Sequence, residues 1–105
     1  MLVYVAGPYS KGDQVENVRI AVQAGEELIK SGFIPLIPHL SHLWHLISPH
    51  PYDFWIDLDS HYLLRCDAVL RLPGESAGAD KEVELAKSKW IPVYYSIQEL
   101  INGDK

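Results

Sequence analysis

"DAVLRLPGESAGADKEVELAKSKWIPVYY", residues 67–95, changes its hydrophobic period twice. Asp67–Leu72 is a mostly apolar run of strand length, and Pro73 and Gly74 interrupt it. From Ser76 to Lys89 the apolar positions recur at helical spacing, with Ala79, Val83 and Ala86 on one stripe; Ile91–Tyr95 is strand-like again. Ser76 suits a helix N-cap, and Gly74 and Gly78 permit tight backbone turns. Strand, turn, helix and strand in this order form the repeating unit of a parallel sheet with right-handed crossovers.

The same alternation continues outward from this unit. "LVYVA" (Leu2–Ala6) is a continuous apolar run ending at Gly7-Pro8, as expected for a strand buried on both faces. A helix is predicted from Asp13 to about Ser31, with Val15, Val18, Val22, Gly25, Leu28 and Ile29 on its apolar stripe and Gly32 as its stop. "FIPLIP" (Phe33–Pro38) is a second strand, marked by its prolines as an edge or an early end. His39–Trp55 is the least regular segment. A helix follows from around Tyr52 or Asp53 to Arg65, and a short one closes the chain from near Ser96. The order β-α-β-(α)α-β-α-β-α predicts an α/β fold: a Rossmann/flavodoxin-like three-layer sandwich, four to five parallel strands, one domain over residues 1–105.

Bulk properties narrow the partners. The chain has 105 residues, 48% hydrophobic and 22% charged, with a formal net charge of −5. That balance speaks against a nucleic-acid polymer, which requires clustered Lys and Arg, but leaves room for one small phosphorylated ligand. The single cysteine, Cys66, excludes an internal disulfide and a cysteine-rich metal site. The N-terminus has no basic region, and its apolar run is too short for a signal peptide or membrane span; a cytoplasmic protein is expected.

In open parallel sheets ligands bind beyond the carboxyl ends of the strands. Those ends are "AGPYSKG", "PHLSH" and "LPGESAG". The third precedes a helix whose free N–H groups and dipole favour an anion. Glu82 lies at the margin of that helix's inward stripe, where it either faces the sheet edge or serves the helix dipole, while Glu84 points outward. Asp57 and Asp59 are expected near the same edge. A second carboxyl close to Glu82 would raise at least one pKa, and either aspartate also suits a cap or a solvated turn. Gly7, Tyr9, Ser10 and Lys11 form the first loop, where Ser10 and Lys11 can donate to a phosphate; Tyr4, before it, reads equally as core.

Residues 39–55 hold His39, His42, His45 and His50 with Trp44 and Trp55. No HExxH motif exists and no cysteine assists, so no metal and no other cofactor is expected, and the segment reads as a pocket wall including His39, or as a dimer surface.

Three pieces in order, "VYVAGPYS", Asp59 with "DAVL" from Asp67, and "S-x-G-A-x-x-E" from Ser76 to Glu82, resemble the nucleoside 2-deoxyribosyltransferase family, which includes the 2'-deoxynucleoside 5'-monophosphate N-glycosidases. The resemblance covers most of the chain. It implies that Glu82 is the nucleophile that holds the sugar as a covalent ester, that Asp59 orients the substrate or protonates the leaving base, and that Tyr4 orients the nucleophile. Ser76 stands where the monophosphate hydrolases bind phosphate; Pro8 stands where they carry a serine. The implied substrate is a 2'-deoxynucleoside or its 5'-monophosphate, and the implied assembly is a homodimer or higher homo-oligomer. A second reading, prompted by the altered first loop and the short stretch after the last strand, is a nucleotide-binding or sensing module without turnover.

Overall fold

Val3, Tyr4, Val5 and Ala6 are all wholly buried, which accounts for a first strand with no polar face. In the computed structural model, which describes residues 1–103, this strand, β1 (Leu2–Ala6), lies inside a four-stranded sheet. The remaining elements are α1 (Gln14–Lys30), β2 (Ile34–Leu36), a 3-10 turn (Pro38–Leu40), α2 (Ser41–Ile47), α3 (Tyr52–Leu63), β3 (Ala68–Arg71), α4 (Ala77–Ser88), β4 (Val93–Tyr94) and α5 (Ile97–Gly103). The strand order is β2-β1-β3-β4 and every pairing is parallel. No helix among the described residues is long and apolar enough to cross a membrane.

Alternation along the strands separates two cores. Val3, Val5, Ala68 and Leu70 meet Ala21, Ala24, Leu28 and Leu100 from α1 and α5. Tyr4, Ala6 and Val69 meet Leu63, Ala79 and Ala86 from α3 and α4. Helices thus cover both faces of the sheet, the three-layer arrangement expected of a flavodoxin-like fold. The chain leaves β1 toward β2 on one side and occupies β3 and β4 on the other, so the order of strand addition switches sides between β1 and β3. The carboxyl ends of those two strands border the crevice where such folds bind ligands.

Several expected boundaries shift, each for a local reason. The buried face of α1 is Ala21, Ala24, Gly25 and Leu28, whereas Val15 and Ile29 are 74% and 58% exposed. Small residues win because the helix packs very closely: a Cβ at Gly25 would lie 2.6 Å from Ile37 Cδ1. The segment 39–55, expected to be irregular, contains the 3-10 turn and α2. That helix has no buried residue, so its sequence shows no inward stripe. Strand β4 is only Val93–Tyr94, because Ile91 N–H still bonds Ala86 O at the end of α4 and Pro92 has no N–H to give.

Leu63 fastens α3 to the sheet and is fully buried. Leu63→Ala is expected to lower the unfolding free energy by roughly 2–5 kcal/mol, read as a lower urea midpoint. A change below about 0.5 kcal/mol would contradict this packing.

Candidate active site

A cavity of about 810 Å³ opens beyond the carboxyl ends of β1 and β3. Four pieces of chain enclose it: the loop after β1, the segment from Pro38 into α2, one face of α3, and the first turns of α4. Of the ten residues singled out in the sequence, Glu82, Asp59, Gly7, Tyr9, Ser10, Lys11, His39, Ser76 and Gly78 line it. The tenth, Tyr4, lies fully buried beneath the floor.

The floor is an acid pair backed by a phenol. Tyr4 projects from β1 toward α4, and its hydroxyl donates to Oε2 of Glu82. Glu82 sits beside the buried stripe Ala79–Val83–Ala86, so α4 carries it partly under the surface. Burial pushes its carboxyl up to about 7, against the opposing pull of the Tyr4 hydrogen bond and the Arg71 charge. Asp59 rises to about 7 through burial and then through repulsion from Glu82. Its Oδ1 is buried and meets no hydrogen-bond partner among the described residues. Burial and the negative charges of Glu82 and Asp59 push the Tyr4 phenol up, so Tyr4 stays a donor. Asp57 stays outside: its carboxylate is exposed and lies 3.7 Å from His61.

Both ends of the pair respond to the same burial, but only Glu82 has groups that favour its charged form. Both carboxyls nonetheless reach about 7, and what distinguishes them is that the Tyr4 hydroxyl and the Arg71 charge favour the ionised form of Glu82 alone. This division follows from the neighbours, not from the residue types.

The loops are held by short-range fits. Ser76 Oγ accepts from Ala79 N–H at 3.1 Å and caps α4, leaving its hydroxyl proton free to donate. Gly74 adopts φ +115° and brings the loop after β3 so near the first loop that a Cβ there would lie 2.8 Å from Pro8 Cγ. Lys11 pairs with Glu75 at 2.8 Å across two exposed side chains at the rim. Burial raises the Tyr9 phenol, which bonds His42 Nδ1.

Each histidine of the wall has a separate engagement. His39, 5% exposed, donates from Nε2 to Pro8 O at 3.0 Å, and burial lowers its pKa, so it stays neutral. His45 bonds Trp55, and His50 stacks on Phe54 with ring centroids 3.8 Å apart. No group of three or more His, Cys, Asp or Glu among the described residues is placed to hold a metal ion.

Sequence reasoning missed Arg71 and Glu75, and it reached Tyr52 and Trp55 only as part of the segment 39–55 read as a pocket wall or a dimer surface. Arg71 is the most instructive. Its side chain, 10% exposed, donates to Leu72 O, to Gly74 O at 2.9 Å and to Asp80 Oδ1 at 3.1 Å. An arginine at the carboxyl end of an otherwise apolar strand was the available signal. Tyr52 and Trp55 precede Asp59 on α3 at helical spacing, which reads as a cavity face only once Asp59 is placed there.

Residues 1–96 match the family model described as "Domain of unknown function (DUF7768)". No curated protein matches the chain. Among solved structures, a 2-deoxyribosyltransferase from the psychrotolerant bacterium Bacillus psychrosaccharolyticus, characterised as a biocatalyst for nucleoside synthesis, superposes with a TM-score of 0.64. The alignment is 18% identical and covers 89% of this chain and 69% of that one, a likeness of fold.

The acid pair makes stability depend on pH. The two carboxyls titrate near 3.8 and 4.5 when unfolded and near 7 when folded. Between those values the folded state holds protons that the unfolded state has released. Their stabilising contribution is therefore full below about pH 4, declines toward pH 7 and is lost above it. Glu82→Gln keeps an acceptor for Tyr4 and removes one titration. Its urea midpoint is expected to fall less than that of the parent between pH 5.5 and 8, and to exceed the parent's at pH 8; parallel declines would contradict a buried, raised Glu82.

Proposed function

We propose that this chain, which belongs to the DUF7768 family, cleaves or transfers at the N-glycosidic bond of 2'-deoxynucleosides or their 5'-monophosphates, with Glu82 as nucleophile. The observation that carries the proposal is the floor of the cavity: Glu82 held by a buried tyrosine hydroxyl, beside a half-buried Asp59 whose carboxyl is likewise raised to about 7. The sequence resemblance to the nucleoside 2-deoxyribosyltransferases and the shared fold of the 2-deoxyribosyltransferase neighbour support the same reading.

The chemistry balances on these two acids. Glu82 carboxylate attacks C1' as the C1'–N bond breaks, and the bonding pair leaves with the base nitrogen, which takes the proton of Asp59. Positive charge that develops on the sugar ring meets the carboxylate, which then closes the ester. In the second half, water or an incoming base attacks C1', Asp59 accepts its proton, and Glu82 returns as carboxylate. Tyr4 fixes the attacking oxygen and spreads its charge. Ser76, six residues before Glu82, and the N-terminus of α4 suit the 5' end of the substrate, where a phosphate would find N–H donors.

Incubation with the four deoxynucleosides and their monophosphates, with and without a free acceptor base, tests the proposal by chromatography of released and exchanged bases. Release from monophosphates alone identifies a hydrolase of nucleotides, and exchange identifies a transferase. Ligand binding without release would support the sensing module instead. Glu82→Gln is expected to lower turnover by at least about a thousandfold. Asp59→Asn is expected to cost roughly a hundredfold on ordinary deoxynucleosides and far less on 7-methyl-2'-deoxyguanosine, whose base leaves without needing a proton. An equal loss on both substrates would remove Asp59 from the acid role.

A further inference from the structure

One histidine in the cavity wall has its proton position set by the protein around it. His45 Nδ1 receives two hydrogen bonds, from the Trp55 indole N–H at 2.8 Å and from the His50 backbone N–H at 3.3 Å. Both partners can only donate. Nδ1 is therefore the accepting nitrogen, and the neutral ring carries its proton on Nε2. The Trp55 ring packs edge-on against the imidazole, with centroids 5.7 Å apart, and His45 itself lines the cavity. With Nδ1 turned to Trp55 and His50, the polar group left for a ligand is the Nε2–H.

The position of this donor matters as much as its identity. Trp55 and Asp59 are four residues apart in α3, on one face of the helix and roughly 6 Å apart along its axis. Both line the cavity. A base with its glycosidic nitrogen at Asp59 and its ring laid along α3 would span a comparable length, toward the wall where Trp55 holds His45. Its outer edge then meets an N–H group that cannot turn into an acceptor without losing both bonds to Nδ1.

We propose that His45 is a specificity-determining residue whose Nε2–H selects bases carrying an oxo group at the outer edge over bases carrying an amino group there. Hypoxanthine-, guanine-, uracil- and thymine-type bases offer an acceptor to this donor; adenine- and cytosine-type bases oppose N–H to N–H. The inference rests on the nucleoside reading of the cavity and names its substrate class.

Calorimetric titration of the Glu82→Gln protein, which binds without turnover, separates the two ideas. The probes are 2'-deoxyinosine against 2'-deoxyadenosine and 2'-deoxyuridine against 2'-deoxycytidine, each pair differing in oxo against amino at one edge. The oxo member is expected to bind about tenfold tighter, the worth of one good hydrogen bond. Adding His45→Ala should erase the preference. Adding His45→Gln, which places an amide N–H near the former Nε2, should restore much of it and guards against a wall disturbed by the alanine. A preference that survives His45→Ala, or equal binding of both members in the parent, overturns the role of His45 alone. Failure of all four nucleosides to bind overturns the nucleoside reading, and this inference with it.

Discussion

The hydrogen bond from Tyr4 to Glu82 joins the central strand to the helix that follows β3, and the rest of the cavity is arranged around it. A carboxylate taken out of water loses hydration worth several kcal/mol, and it must either gain donors or keep a proton. Here one donor comes from a tyrosine that is itself wholly buried in β1. That places a demand on sequence far from Glu82. The first strand must carry a phenol at one position of the α3/α4 face, and α4 must begin soon enough after β3 for Glu82 to reach it. Ser76 sets that beginning by capping the helix. Asp59 is brought to the same floor by α3; its Oδ1 meets no donor among the described residues, and burial with the charge of Glu82 raises its carboxyl to about 7. The floor is kept at some expense to stability, as sites with buried acids commonly are.

Arg71 supplies a positive charge that acts on Glu82 against the effect of its burial. It lies in register with Ala6 at the end of β3 and, by alternation from Val69, on the sheet face that carries α3 and α4. Its guanidinium holds the carbonyls of Leu72 and Gly74 and the carboxylate of Asp80, which ties the loop after β3 to the first turn of α4. The same charge opposes the effect of burial on Glu82 but does not act appreciably on Asp59. One side chain thereby shapes the turn and biases the acid pair. In the proposed reaction, a division between nucleophile and acid would depend on where this cation sits, which is how environments commonly separate two like residues.

The fold was readable where period and punctuation agree. Leu2–Ala6, the Pro35-containing edge strand and the Ala79–Val83–Ala86 stripe each had one dominant physical cause, burial on two faces, a missing N–H or a single inward face. The stripe of α1, expected correctly at Gly25 and Leu28 but wrongly at Val15 and Ile29, shows the limit of that logic. Val15 and Ile29 are the more hydrophobic side chains, yet close packing against Ile37 favoured the alanine and glycine face. Nine of the ten singled-out residues line the cavity because loops at the ends of parallel strands converge by topology, and the helices beside those loops carry Asp59 and Glu82 to the same place. Arg71 was not legible, and Trp55 was legible only as part of an aromatic wall, since neither belongs to a loop motif. Their importance comes from pairings across elements, with the turn after β3 in one case and with His45 in the other.

The two sides of the cavity are anchored by different forces. At the floor, Leu72 N–H bonds Ala6 O at 2.7 Å, and Tyr4 and Ala79 are packed in the core. Across from this, α2 buries no residue at all; Leu43, Leu46 and Ile47 are each more than half exposed. What ties α2 down over the cavity is a set of side-chain contacts: His45 to Trp55, His42 to Tyr9, and Trp44 edge-on to Trp55 at 5.3 Å. Elements with few buried contacts have the lowest free energies of local opening, so α2 opens before the floor does. In the proposed reaction that order has a use. The nucleophile must stay fixed through both halves, whereas the base must depart, and in a transfer another must enter. Opening α2 separates His45 from Trp55 and releases the constraint on its tautomer. If His45 reads the base as proposed, its donor is fixed only while the wall is closed, so discrimination would occur in the same state as the proposed cleavage.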